Sequence, residues 1–250
     1  VFALGAFVAS RSRAVGLLWL LPVPILLYAI HLTRSRGGLL GLMGGLSTLA
    51  LIKLGGRRAL VLGLAAVPCV MTLAGGRQLT LGTGEGTSQA RIQLWNAAFD
   101  ELIHSPVIGV GTQRLRELIG QVTHNSFLHA GAELGVVGGL LFFGVFYYLA
   151  TRLFRARAAA DGLDPDAAAL RPFLLAGLAS YTINEMSLTH PYTLFTYVVA
   201  GLGTAWLRIA DRSVPIEGVE ATGGLLREVC VWGGFFFTAL FLFTKASVRV

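Results

Sequence analysis

FLHAGAELGVVGGLLFFGVFYYL, residues 127–149, places one histidine and one acid in its opening turns and continues without a charge to its end. It exceeds the roughly 20 residues that a helix needs to cross the hydrocarbon core of a bilayer, so it reads as a membrane span. Working outward, further apolar runs lie at 15–30, 39–52, 59–73, 173–186, 192–207 and 229–243. The expected fold class is therefore an all-α integral membrane protein: a polytopic bundle of about seven spans with an external loop that bears a short amphipathic helix. The runs at 39–52 and 59–73 are short and glycine-rich, so tilt or local thinning of the bilayer would have to accommodate them.

Composition points the same way. Hydrophobic residues make up 54% of the chain and charged residues 13%, against about 25% charge in a soluble domain. The net charge of +7 raises nucleic-acid binding, but the arginines are scattered between apolar runs and gather on no single soluble face, so no nucleic-acid partner is expected. Topology explains them better. Alternating spans put Arg11 and Arg13, Lys53, Arg57 and Arg58, Arg152, Arg155 and Arg157, and Arg208 and Arg212 in the cytoplasm. Arg34, Arg36, the segment 74–123, His124 and His190 then face outward.

The expected organisation is one membrane domain over 1–250, with an external loop at 74–123 and a cytoplasmic connector at 151–170. Val1–Ser10 is apolar but too short to cross, and reads as the end of an earlier helix in an N-terminally incomplete protein. Cys69 and Cys230 lie inside apolar runs, where cysteine behaves as a small hydrophobe.

Within the external loop, 75–86 is rich in glycine and threonine and reads as flexible. Ser88 then reads as the N-cap of a helix whose Ile92, Trp95, Phe99, Leu102 and Ile103 form an apolar stripe opposite Gln93, Asn96, Asp100 and Glu101. Ser105-Pro106 ends it and Gly109–Gly111 opens a turn. Two glycine series, Gly37, Gly41 and Gly45, then Gly131, Gly135 and Gly139, repeat every four residues, a spacing that lets helices approach closely in lipid.

Several residues are candidates for chemistry. Arg36 opens a helix after Ser35, where it either attracts an anion or snorkels to lipid headgroups. Arg91 sits in the first turn of the loop helix, an unfavourable place for a cation unless an acid or a phosphate offsets it. His124 and Asn125 stand at the outer lip of the 127–149 span. An imidazole there accepts a proton from a sugar hydroxyl or simply caps and anchors the helix. His129 and Glu133 are spaced to pair, and Glu133 is costly unless it faces protein. His190, preceded by Asn184 and Glu185 and followed by Pro191, is a second outward polar group. No phosphate loop, nucleophile elbow or metal-ligand spacing appears, and neither a metal nor a cofactor is expected.

Taken together, Ser35-Arg36-Gly37, then Arg91 with Trp95, Pro106 and Gly109-Val110-Gly111, then His124-Asn125-Ser126-Phe127-Leu128 with Glu133, Gly135 and Gly138 resemble the bacterial O-antigen ligase and polymerase family. The resemblance covers roughly 33–148. It implies a metal-independent glycosyltransferase in the bacterial inner membrane, with its active site facing the periplasm. The donor would be a glycan on undecaprenyl diphosphate, and the acceptor a hydroxyl of another glycan, of lipid A core or of another molecule. Carried over by the resemblance, His124 is the catalytic base, Arg36 and Arg91 bind the diphosphate, and Asn125, Glu133 and His190 support them. Rival readings are a polymerase of the same family, a polysaccharide or lipid transporter, and an inactive membrane fragment.

Overall fold

The structure, a computed structural model, describes residues 1–10, 12–33, 35–59, 61, 86–157, 162–213 and 223–248. Among these there is no strand. The helices are α1 (Phe2–Ala9), α2 (Arg13–Leu18), α3 (Pro22–Thr33), α4 (Arg36–Leu54), α5 (Gly86–His104), α6 (Leu115–Ile119), α7 (Ser126–Arg155), α8 (Pro165–Glu185), α9 (Leu194–Ser213) and α10 (Gly223–Ser247).

Among the described residues, four stretches are long and apolar enough to cross a membrane: Arg13–Thr33, Arg36–Leu54, Ser126–Arg155 and Gly223–Ser247. They match the expected runs at 15–30, 39–52, 127–149 and 229–243. The runs at 173–186 and 192–207 also fold as helices, in α8 and α9, but Arg171, Asn184 and Glu185 in the one and Arg208, Asp211 and Arg212 in the other dilute their apolar character. The run at 59–73 and the glycine- and threonine-rich stretch at 75–86 fall almost entirely outside the described residues. Exposure supports the bilayer as solvent: α3 buries none of its residues, and Ile25, Tyr28 and Leu32 lie open along it. Such a surface is natural against lipid and untenable against water.

The chain forms two compact units. The first comprises the described residues of Val1–Leu81, Leu149–Asn184 and Val198–Val219. In it the first glycine series works as its spacing predicts: Gly37, Gly41 and Gly45 are buried, and a Cβ on Gly41 or Gly45 would run into Asn184 or Ser180 of α8. Ser35 caps α4 by accepting the Gly38 amide at 3.0 Å. The expected connector ends in helix from Pro165 on, because the Asp164 carboxylate accepts the Asp166 and Ala167 amides at 3.0 and 3.3 Å and so starts α8.

The second unit comprises the described residues of Gly82–Tyr148, Glu185–Tyr197 and Glu220–Val250. Its core joins Ala98, Phe99 and Leu102 of α5 to Leu115, to Leu128 and Ala132 of α7, and to Leu240 of α10. Phe127 packs edge-on against Phe142, Phe146 and Phe236. The loop helix therefore exists and buries the expected stripe at Ile92, Phe99 and Leu102, with two corrections. Ser88 lies inside α5 rather than capping it, since the helix starts at Gly86. Ile103 is exposed because the packing seam ends at Leu102.

The second glycine series departs further from expectation. Gly135 breaks α7 instead of lining a helix face: its φ of 72° and ψ of −178° are open to almost nothing but glycine. The break releases backbone groups that an intact helix would pair, and the loop after α5 takes them up. Val110 and Gly111 donate to the Ala132 and Glu133 carbonyls at 3.0 and 2.9 Å, and the Val136 amide donates to the Pro106 carbonyl at 2.8 Å. A Cβ on Gly135 would collide with the Val107 carbonyl, and one on Gly109 with the Glu133 backbone. Thus Pro106, Gly109–Gly111 and Gly135 form one device, a loop threaded into a broken helix.

Candidate active site

Everything around His124 is held by short polar contacts within the second unit. Asn125 is the N-cap of α7, its Oδ1 accepting the Leu128 amide at 3.1 Å, while the Thr123 hydroxyl donates to the Asn125 carbonyl at 2.9 Å. Trp95 of α5 donates its indole N–H to the Thr123 carbonyl at 2.7 Å. From the segment after α8, Thr189 accepts the His124 amide at 2.8 Å, Leu188 accepts the Ser126 hydroxyl at 2.9 Å, and the His190 amide donates back to Ser126 Oγ at 2.9 Å. Between these anchors His124 itself takes a left-handed backbone, φ 53°, which is rare for a residue with a side chain and marks a position that its neighbours over-determine.

His124 is half-buried. It lines a pocket of about 360 Å³ together with Arg116, Gln121 and Val122. Burial first, and the charge of Arg91 second, push its imidazole below the ordinary histidine range, which leaves it neutral and able to accept a proton at neutral pH. Arg91 is therefore close enough to act electrostatically on His124, as a shared site requires.

A larger cavity, of about 700 Å³, is lined by Arg116, Glu117, His129, Glu133, His190 and Tyr192, among others. Glu133 is fully buried in its wall. Its Oε2 accepts the Tyr192 hydroxyl at 2.7 Å, and its Oε1 lies 3.3 Å from His129 Nε2. The spacing of His129 and Glu133 thus produces the pair it promised. His129 Nδ1 is 3.4 Å from the Thr123 hydroxyl, so the polar chain runs from Tyr192 through Glu133 and His129 back to the loop that holds His124.

Of the residues singled out in the sequence, His124, Asn125, Arg91, Glu133 and His190 lie in this unit; His124, Glu133 and His190 line its pockets, Arg91 acts on His124 electrostatically, and Asn125 acts through the cap. Arg36 belongs to the first unit, half-buried in the opening turn of α4. Arg116, Glu117 and Tyr192 escaped sequence reasoning. The charged run Arg114-Leu115-Arg116-Glu117, just after the glycine turn on an external loop, was a usable signal for the first two. Tyr192 carried none, because only the fold brings it to Glu133.

The fold and its exposed apolar helices define an all-helical, multi-pass membrane protein with a polar, histidine-bearing site in its second unit. The O-antigen ligase family model matches residues 21–143, so this segment is similar to that family. The matched segment takes in Arg36, Arg91, the glycine turn, His124, Glu133 and Gly135. No curated protein and no solved structure matches the chain significantly.

Proposed function

We propose that the protein transfers a glycan from undecaprenyl diphosphate to an acceptor hydroxyl at the periplasmic face of the bacterial inner membrane. The observation that carries this reading is His124: a neutral imidazole, locked in a strained backbone, beside a polar cavity and within the field of an arginine. In the reaction His124 takes the proton of the acceptor hydroxyl as its oxygen bonds to the anomeric carbon of the donor sugar. The bond from that carbon to the diphosphate oxygen breaks, and the lipid diphosphate leaves with the electron pair. A diphosphate needs positive charge more than it needs a general acid, which Arg91 and, by resemblance to the family, Arg36 supply. Asn125, Glu133 and His190 hold the loop and the cavity wall. In this reading the segment 74–123 is the periplasmic loop and 151–170 the cytoplasmic connector. The transfer requires no metal or other cofactor.

Transport of a lipid-linked glycan is the second reading, favoured by one observation, the break in α7 next to a buried acid. A test that separates the two is complementation of a strain lacking its own ligase or polymerase, with separate readouts for glycan chain length and for attachment to lipid A. We expect His124→Ala and Arg91→Ala to abolish product while the variants remain in the membrane at wild-type levels. Longer chains restored by the wild type would identify a polymerase, and restored attachment a ligase. Wild-type products from both variants would end the assignment of His124 and Arg91 to the site, and no product from the wild type would end the transferase reading and leave transport.

A further inference from the structure

The two cavities of the second unit differ in charge, and the difference sorts ligands. The smaller, with Arg116 and His124, has no carboxylate among its described lining residues, and Arg91 is near enough to act on His124. The larger has two carboxylates, Glu117 and Glu133, so a diphosphate entering it would meet like charge at close range. Hydroxyl-bearing ligands face no such penalty. Tyr192 makes the preference chemical as well as electrostatic: its proton is committed to Glu133 at 2.7 Å, so towards a ligand the phenol oxygen can only accept. A sugar hydroxyl can donate to it, whereas an ionised phosphate cannot. Arg116, Gly120 and Val122 line both spaces, which makes them neighbours with Arg116 at their common wall. The larger volume is also in the range of small-molecule sites, roughly 300–1,000 Å³.

We propose that the larger cavity is the acceptor subsite, where Tyr192, positioned by Glu133, and Glu117 hold the hydroxyls of a sugar, while the smaller pocket takes the diphosphate with Arg116 as an additional phosphate-contacting cation. This assignment rests on the transferase reading. The acceptor hydroxyl then meets the donor carbon at the shared wall, beside His124, and the proton goes to His124 as that bond forms.

The test uses the full chain in lipid nanodiscs and two assays. The first is binding of undecaprenyl diphosphate, which needs no turnover. Arg116→Gln should weaken it by about tenfold, the scale of a lost charge-assisted contact, and Tyr192→Phe should leave it within twofold. The second is transfer of glycan to an oligosaccharide acceptor, with KM measured for each substrate. Tyr192→Phe and Glu117→Gln should raise the acceptor KM several-fold and spare the donor KM; Arg116→Gln should do the reverse. A merely structural role for Tyr192 would move both constants together. The assignment is overturned if Tyr192→Phe weakens diphosphate binding, if Arg116→Gln does not, or if the acceptor KM ignores Tyr192 and Glu117 in an active enzyme. Absence of transfer by the wild type would overturn the transferase reading instead, and the diphosphate assay would still locate the anion; transfer that survives His124→Ala would remove His124 as the base.

Discussion

At the scale of single residues, His124 shows how a site can be tuned by its surroundings rather than by an unusual side chain. A base must be unprotonated before it can act, and both influences on His124, burial and Arg91, disfavour the imidazolium. Its pKa therefore lies below 6.5, and kcat/KM for transfer should rise as pH climbs through that lowered value and stay flat above it. Replacing Arg91 by Gln removes the electrostatic part of the lowering and leaves the burial part. The acid limb of the profile should consequently move to higher pH, on top of any loss of donor affinity. A limb that stays in place, or moves down, would mean that the titrating group is not His124. Asn125 illustrates a different outcome. Two roles were open from sequence for His124, base and cap; in the structure the cap of α7 is Asn125, and His124 lines the pocket.

At the scale of elements, the break in α7 is the feature on which the site depends. An unbroken helix would have no free carbonyls at Ala132 and Glu133 for the Pro106–Gly111 loop to bind, and α5 and α6 would lose their tether to α7. Gly135→Ala should cost about 1–3 kcal/mol, the range for a side chain forced into such a backbone region, and more where the collision with the Val107 carbonyl cannot relax. Gly201→Ala in α9 is the natural comparison, because a Cβ there meets nothing within 4 Å, and it should be neutral or stabilising by about 0.5–1 kcal/mol. Thermal inactivation of the two variants in detergent distinguishes them; equal stability would mean that the loop does not depend on the break. The regular four-residue spacing concealed this. Gly37, Gly41 and Gly45 and Gly131, Gly135 and Gly139 look alike as strings, yet the first set packs α4 on α8 and the second is interrupted by a non-helical residue, so that Gly139 comes up against Gly131.

At the scale of the whole molecule, sidedness can be checked directly. The proposed topology has His124 outside and the Arg152–Arg157 cluster inside. In a background with Cys69 and Cys230 replaced, Gln121→Cys should react with a membrane-impermeant maleimide applied from the periplasm, and Arg155→Cys only after the membrane is opened. Both positions are exposed in the structure, so protection would reflect the membrane rather than burial. The reverse pattern would turn the proposed topology over and with it the periplasmic site.

The sequence by itself determined the all-helical membrane class, the positions of the longest spans and the buried stripe of α5. These are properties of composition and local periodicity, since the bilayer demands long apolar helices and a half-buried helix repeats its apolar residues every three or four positions. Only the tertiary structure decided that Gly135 is a break rather than a packing surface, that Glu133 is held by Tyr192, and that Arg116 joins His124 at one pocket. Each of these depends on which distant segments fill the space around a residue. The sequence around Glu133 reads the same whether a tyrosine 59 positions away reaches it or not, and a glycine reveals its backbone only when another chain segment has been threaded against it.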